Sequence, residues 1–219
     1  MALILCLETA TTNCSVALSE NGSVIAFRED TSKQYSHAER LHVFINEVLE
    51  ETEYGLSDLD AIAVSKGPGS YTGLRIGVSA AKGLCFSLDV PLLAIPTLAI
   101  LASQVADDVD FIVPMIDARR MEVYAMVLNK EIQEVREIKA EILDSSSFSG
   151  FLEKGKVAFI GNGVSKFQEL CKHPNALFLK ERLPSALQMA SMAEAQNKIG
   201  NVVNVAYFEP FYLKDFILG

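Results

Sequence analysis

The stretch AVSKGPGSYTGLRIG, residues 63–77, leads from an apolar run through a glycine-rich loop into a helical pattern. The loop contains Gly67, Gly69 and Gly73, with a proline between the first two. A strand followed by a glycine loop and a helix is typical of α/β proteins, in which such helix N-termini often bind phosphate. The stretch therefore indicates either a nucleotide site or a turn that lets two backbones pack closely.

The spacing of the glycines fits neither of the two common phosphate-binding motifs. A Walker A loop requires Lys and then Ser or Thr after its last glycine, whereas Leu74 and Arg75 follow Gly73 here. A dinucleotide-binding motif requires its third glycine three residues after the second, and Gly73 comes four residues after Gly69. The pattern supports neither standard phosphate-binding mechanism and leaves open only weak anion binding by the backbone amides at the start of the helix.

Close packing accounts better for the helix that follows the loop. Gly73 and Gly77 are four residues apart, and Ala80 and Ala81 continue the same side of the helix. Each interior glycine costs a helix about 1 kcal/mol relative to alanine. We expect this cost to be tolerated because a low helix surface lets the chain's own sheet, or the helix of a partner, approach closely.

The chain before the loop predicts three strands and a helix. Residues 2–30 alternate between apolar and polar positions like strands, and Asn21-Gly22 is a hairpin signal. Apolar residues recur with helical spacing over residues 37–50. Ser36 is the expected N-cap of this helix, with the glutamate three residues later as its capping-box partner.

The second half of the chain repeats this order. Residues 110–138 alternate like three strands, and the motif GNG at residues 161–163 follows an apolar strand and precedes a helix. Asp117 ends the first strand of this copy, as Glu8 ends the first strand of the other. The repeat predicts a duplicated α/β fold.

The repeat also predicts two subdomains, residues 1–96 and 97–219, which 219 residues are long enough to form. The join is expected at Pro96-Thr97. The C-terminal stretch FEPFYLKDFIL is expected to pack back on the first subdomain.

Composition narrows the class of function. The chain has 19 basic and 28 acidic residues, a formal charge of −9, which argues against binding nucleic acid without a partner. The N-terminus has no basic region typical of a signal peptide, and prolines interrupt the most apolar segment, so no membrane span is expected. The four cysteines have no CxxC spacing, which indicates reduced thiols. We expect a cytoplasmic protein.

The reactive side chains predict no catalytic, cofactor or metal site. His37 and His42 are five residues apart, about 140° around a helix, so they cannot share a metal ion as an i, i+4 pair does. Ser70 has no evident histidine partner. The segment DARR, residues 117–120, is expected to hold an internal ion pair.

Several segments together resemble the bacterial TsaB family, also called YeaZ-like. The segments are LCLETATTNCSVAL, SHAERL, GLSDLDAIAVSKGPGSYTGLRIGVSAAKGL, IPTLAILA and MIDARRMEVYAMVL. The similarity spans nearly the whole chain and is densest over residues 3–125. Its most specific elements are GPGSYTGLRIG and, after it, IDAR.

The resemblance implies an actin-like ATPase fold (ASKHA, ribonuclease H-like) in two subdomains. It implies a non-catalytic subunit that pairs through a helical bundle with the catalytic relative TsaD. When the chain is alone, we expect the same surface to self-associate as a homodimer. Together with the ATPase TsaE and a synthase, such proteins form N6-threonylcarbamoyladenosine in tRNAs that read codons beginning with A. The chain is expected to reach tRNA only indirectly, through that complex.

Two positions depart from the family pattern. Glu8 stands where the family usually has aspartate, and Asn162 stands where a loop aspartate is common. Strand-end carboxylates orient metal and water in an actin-like site, so these changes weaken a nucleotide-binding interpretation but leave a scaffold role intact.

The expected partner interface consists of the helices over residues 37–50 and 73–88. Its residues are His37, Leu41, Ile45, Gly73, Leu74, Ile76, Gly77 and Ala81. Gly77→Leu is the substitution that this assignment suggests as a test.

Two other functions are compared with this one. A small-molecule kinase or nucleotide-binding enzyme of the same fold would use the two glycine loops that follow apolar strands. A glycopeptidase, the older description of some relatives, would lack a metal-ligand pair in this sequence.

Overall fold

The computed structural model describes residues 2–32 and 36–214. The chain forms two compact units, one of Met1–Thr97 with Pro184–Tyr212 and one of Leu98–Leu183 with Leu213–Gly219. The elements, in chain order, are β1 Leu3–Glu8, β2 Cys14–Glu20, β3 Ser23–Asp30, α1 His37–Glu50, β4 Ala61–Ser65, α2 Tyr71–Leu88, β5 Leu92–Ile95, α3 Thr97–Ala102, β6 Phe111–Asp117, β7 Glu122–Asn129, β8 Glu134–Ile142, α4 Ser149–Leu152, β9 Val157–Gly161, α5 Val164–Leu170, β10 Ala176–Lys180 and α6 Ala186–Lys198.

The sheet of the first unit has the strand order β3-β2-β1-β4-β5. β1 pairs antiparallel with β2 and parallel with β4, so that Cys6 lies between Ala17 and Ala63. All six residues of β1 are buried. A central strand that is covered on both faces is expected to be apolar without alternation, and this explains the run LILCL.

Helices α1 and α2 pack on one face of this sheet. Their buried residues share a core with Leu3, Leu5 and Leu7 of β1. Successive side chains of a strand point to opposite faces, so Ile4 and Cys6 are left to the other face. α6, whose buried positions are mostly alanines, contacts β1 and β2 but is not part of the first core.

The expected local signals are borne out with one exception. Asn21 and Gly22 have φ values of 52° and 80°, as a tight turn between β2 and β3 requires. α1 begins at His37 after Ser36, but the Ser36 hydroxyl donates to Asp30 Oδ2 (2.7 Å) and makes no cap hydrogen bond. The predicted capping box is therefore wrong: the Ser36 side chain is directed at the carboxylate on β3, and its oxygen accepts no hydrogen bond from the first turn of α1.

The sheet of the second unit has the order β10-β9-β6-β7-β8. Ile112 of β6 pairs parallel with Ala158 and antiparallel with Leu128. Its first strand is thus central, followed by a meander on one side and parallel strands on the other, as in the first unit. This repeated topology confirms the duplicated α/β fold.

The unit boundaries differ from the expected subdomains after residue 183. The first unit ends at Thr97, next to the expected join, but it also includes Pro184–Tyr212, which the predicted subdomain 97–219 assigned to the second half. Val203 N donates to Leu92 O (2.9 Å) at the edge of the first sheet. Of the C-terminal stretch FEPFYLKDFIL, residues 215–218 lie outside the described part of the chain.

None of the helices within the described residues is long and apolar enough to cross a membrane.

Candidate partner-binding surface

The backbone amides of the glycine loop already donate to oxygens of this chain. Gly67 N donates to Thr97 Oγ1 (3.0 Å), and Ser70 N donates to Ala10 O (2.6 Å). Gly73 N, in the first turn of α2, donates to Ser70 Oγ (3.3 Å). An anion site at a helix N-terminus needs amides that point at the ligand, and these three are used within the protein.

The turn between β1 and β2 fills the low surface of α2. The Thr9 hydroxyl donates to Gly73 O (2.8 Å), and Thr9 is completely buried. A Cβ atom on Gly69, Gly73 or Gly77 would clash with Ala10 O, Thr9 O or Thr9 Oγ1, respectively. Of the two occupants that the sequence allowed, a segment of the chain's own sheet is the one that packs against these glycines.

Glu8 holds this turn from the end of β1. Its Oε1 accepts from Ala10 N (2.6 Å) and from Ser65 Oγ (3.0 Å), while its Oε2 is buried without a hydrogen-bond partner among the described residues. Burial raises the pKa of Glu8 from its ordinary 4.5 to about 7, against the opposing effect of these hydrogen bonds. Its side chain serves the packing of the turn and is not exposed to solvent.

Most of the predicted interface residues lie inside the first unit. The buried ones are His37, Leu41, Ile45, Gly73, Leu74, Gly77 and Ala81. His37 Nε2 donates to Thr11 O (2.8 Å), and burial lowers the pKa of this histidine. These seven residues lie in the stripe that covers the unit's own core, and the assignment of the two helices to a partner interface stays a prediction.

Ile76 is the one predicted contact that reaches the surface. It lines a groove between α1 and α2 together with His42, Ser79, Ala80, Gly83 and Leu84. A Cβ on Gly83 would meet no atom within 4 Å. Phe86 follows on the same helix with 86% of its surface exposed, and Val43 of α1 is 42% exposed. We refer to the six lining residues as the α1–α2 groove.

The sequence also contains a pattern that indicates this groove. Ile76, Ala80 and Gly83 follow the i, i+4, i+7 spacing of one helical side, just as Gly73, Gly77 and Ala81 approximate another. α2 thus has two stripes of small and apolar residues. One is covered by the β1–β2 turn, and the other is exposed.

The C-terminal segment 203–212 covers a further side of α2. Lys82 Nζ donates to Phe208 O (2.9 Å), and Phe211 N donates to Lys66 O (2.7 Å). The guanidinium of Arg75 lies 4.2 Å from the centre of the Tyr71 ring, which is in turn 4.8 Å from the ring of Tyr212. With this side occupied, the α1–α2 groove is the apolar surface that α2 leaves exposed.

The described residues contain no group of three or more His, Cys, Asp or Glu side chains placed to hold a metal ion. His37 and His42, which the sequence separates by about 140°, lie in different environments, one buried and one in the groove. The four cysteines are free and buried.

Comparison with known proteins identifies the family. The profile described as "TsaD: tRNA N6-adenosine threonylcarbamoyltransferase" matches residues 29–215. The tRNA threonylcarbamoyladenosine biosynthesis protein TsaB of Haemophilus influenzae is 30% identical over 97% of this chain and 93% of its own length. That of Escherichia coli is 30% identical over 97% and 94%. YeaZ from Pseudomonas aeruginosa has a similar structure, with a TM-score of 0.81 and 29% identity over 97% of this chain and 100% of that one.

The resemblance found in the sequence is thereby confirmed over nearly the full length. The chain belongs to the family that the TsaD profile describes and, within it, to the TsaB proteins of tRNA threonylcarbamoyladenosine biosynthesis.

Proposed function

We propose that this chain is the non-catalytic subunit of a tRNA threonylcarbamoyl transferase and binds a TsaD-like catalytic subunit through the α1–α2 groove. Membership of the TsaB proteins supports the pathway. The observation that carries the proposal is the groove between α1 and α2, together with the 86% exposed Phe86 on the same helix.

The filled glycine loop supports a non-catalytic role. Phosphate transfer requires donors and carboxylates that face an open site, and the amides of Gly67, Ser70 and Gly73 already have acceptors in the chain. The carboxyl group of Glu8 is buried, with a pKa that favours its neutral form below about 7. The same contacts disfavour a kinase or another nucleotide-binding enzyme, and the structure offers a glycopeptidase no specific support.

The groove has the composition of a helix-binding surface. Ala80 and Gly83 keep its floor low, so that a partner helix can approach closely, and Ile76 and Leu84 supply apolar contact area. Phe86 is suited to be the aromatic anchor, since such residues dominate the binding free energy of many interfaces. A second copy of the chain would use the same surface as a homodimer when TsaD is absent.

The remaining partners enter through this complex in the proposal. A TsaE-like ATPase would bind the assembled pair and not this chain alone. Because this chain is acidic, the main tRNA-binding surface of the complex is expected on the partner subunit.

Capture of the TsaD-like subunit tests the proposal directly. Phe86→Ser should reduce capture at least about tenfold, since loss of one anchor costs about 2 kcal/mol or more, and Gly83→Leu should do the same because its side chain would fill the low floor of the groove. Tyr207→Ser is the matched control, because Tyr207 is 85% exposed in the same unit but lies outside the groove. Gly77→Leu is not a useful test, since its side chain would clash with Thr9 inside the unit.

The proposal fails if both groove variants capture the partner as well as the wild type does. It also fails if Tyr207→Ser weakens capture as strongly as Phe86→Ser, because the effect would then not be specific to the groove.

A further inference from the structure

The turn between β6 and β7 contains two consecutive arginines in left-handed backbone conformation. Arg119 has a φ of 71° and Arg120 a φ of 48°. Residues with a Cβ atom adopt this conformation at a cost, and Asn and Gly are the residues usually found there. The chain itself uses Asn21-Gly22 for two consecutive left-handed residues in the β2–β3 turn. Arginine at both positions of the β6–β7 turn therefore calls for a reason other than backbone geometry.

Three acidic side chains at this end of the second sheet are already paired with other cations, and a fourth, Asp144, accepts hydrogen bonds from Ser146 and Ser147. Asp117 accepts from Lys166 Nζ (2.8 Å), and Glu122 pairs with Lys214. Glu141 pairs with Arg136 (2.7 Å) on β8. The predicted ion pair within the segment DARR is thus wrong, because Lys166 of α5 takes the carboxylate of Asp117.

Both arginines are consequently left as uncompensated cations. Within residues 2–32 and 36–214, neither Arg119 nor Arg120 forms an ion pair, and both are exposed. Arg119 N donates to Asp117 Oδ1 (2.6 Å), which ties the turn to the end of β6. A chain with a formal charge of −9 thus presents two adjacent free guanidinium groups on a tethered turn.

We propose that the Arg119–Arg120 turn binds the phosphate backbone of the RNA on which the complex acts. The proposal rests on the proposed function, which supplies a tRNA as the substrate of the assembly. Guanidinium groups bind phosphate oxygens in bidentate geometry, and an exposed hairpin turn can reach a backbone without an enclosing pocket. In the complex, these two phosphate contacts would add to a larger RNA-binding surface on the partner subunit. The acidic chain therefore need not bind RNA on its own.

The test uses the complex of the full chain with its TsaD-like partner and a fluorescent transcript of a tRNA that reads a codon beginning with A. Arg119→Asn with Arg120→Gly gives the β6–β7 turn the residues of the β2–β3 turn. The melting temperature of this variant should be unchanged or about 2–4 °C higher. Its affinity for the transcript should fall on the order of tenfold, and the slope of log affinity against log salt should become shallower by about 2, one for each lost contact.

Three further measurements define the source of any effect. Arg119→Lys with Arg120→Lys keeps both charges and should retain most of the salt dependence. Lys130→Asn with Lys154→Asn is the control for charge alone. It removes two charges near the opposite end of the strands, where Phe111 pairs with Asn129 and Val157, and should change the slope little. If the Asn-Gly variant does not fold, Arg119→Gln with Arg120→Gln removes the same two charges and takes its place.

The inference is wrong if the complex of the Asn-Gly variant binds the transcript with the wild-type affinity and slope. It is also wrong if that variant loses capture of the TsaD-like subunit, which would make the turn a protein contact, or if it loses binding of ATP while keeping that of RNA. Failure of the wild-type complex to form would count against the proposed function. Unchanged RNA binding by a complex that does form would count against this inference alone.

Discussion

Alanine at Gly77 should destabilise this protein, whereas alanine at Gly83, six residues along the same helix, should stabilise it. Both glycines lie in the interior of α2, so both substitutions bring the same gain in helix propensity, about 0.5–1 kcal/mol. Their surroundings differ. A Cβ on Gly83 meets no atom within 4 Å, while one on Gly77 clashes with the Thr9 hydroxyl and lies 3.3 Å from Thr9 Cβ.

The cost at Gly77 follows from what Thr9 must give up. Its hydroxyl would have to move, which breaks the buried hydrogen bond to Gly73 O, worth about 1–2 kcal/mol. Forcing an extra methyl group into a packed core costs about 1–3 kcal/mol more. After the gain in helix propensity, Gly77→Ala should lose about 1–4 kcal/mol; because that gain is common to both variants, they should differ by about 2–5 kcal/mol.

Urea unfolding of the isolated chain, followed by circular dichroism, measures this difference as a shift in midpoint at constant slope. Gly83→Ala is the internal control for helix propensity. If Gly77→Ala is as stable as Gly83→Ala, the β1–β2 turn does not pack against α2 as described, and the explanation of the glycine-rich helix is refuted.

Two further substitutions test other parts of the structure. Glu8→Gln should flatten the pH dependence of stability. Because folding raises the pKa of Glu8 from 4.5 to about 7, the stability that its neutral form contributes is fully present below pH 4.5 and is lost as the pH rises through about 7. This is a change of about 3 kcal/mol, which an amide cannot show because it does not titrate. Parallel urea midpoints for the two proteins between these pH values would contradict this. Leu41→Ala should cost about 2–5 kcal/mol of folding free energy because Leu41 is fully buried, and the folded variant should capture the TsaD-like subunit normally. If Leu41→Ala is as stable as the wild type but no longer captures the TsaD-like subunit, Leu41 contacts the partner and not the core.

The strands and the duplication were predictable because they depend on local patterns. The run LILCL, the turn at Asn21-Gly22 and the two strand–glycine loop–helix units each occupy a short stretch of sequence. The return of α6 to the first sheet was not predictable from such patterns. Its contacts with β1 and β2 join residues more than 160 positions apart, and its alanine-rich side carries little hydrophobic periodicity.

The sequence pointed to the helices α1 and α2 as the candidate surface, but it could not tell which of their residues are exposed. Helical spacing places Leu41 and Ile45 on one side of α1, but it does not say whether that side faces the core or a partner. α2 has two stripes of small and apolar residues, one containing Gly77 and the other Gly83. Only the tertiary position of Thr9 distinguishes the covered stripe from the exposed one.

The ion pairs of the second unit could not be predicted from the sequence either. Asp117 and Lys166 are 49 residues apart in sequence. They come close because β9 pairs with β6 and α5, which carries Lys166, follows β9. The neighbouring arginines looked like the natural partners of Asp117 because they are close in sequence.

The central claim is that the chain contributes to tRNA modification by binding its partner and not by catalysis. The direct measurement is formation of threonylcarbamoyladenosine on a tRNA transcript, reconstituted with the TsaD-like subunit, the TsaE-like ATPase and the synthase, with this chain added or omitted. The account predicts no modification without the chain, full modification with the wild type or Tyr207→Ser, and strongly reduced modification with Phe86→Ser. Modification at an equal rate without the chain, or by the chain without its TsaD-like partner, would contradict it.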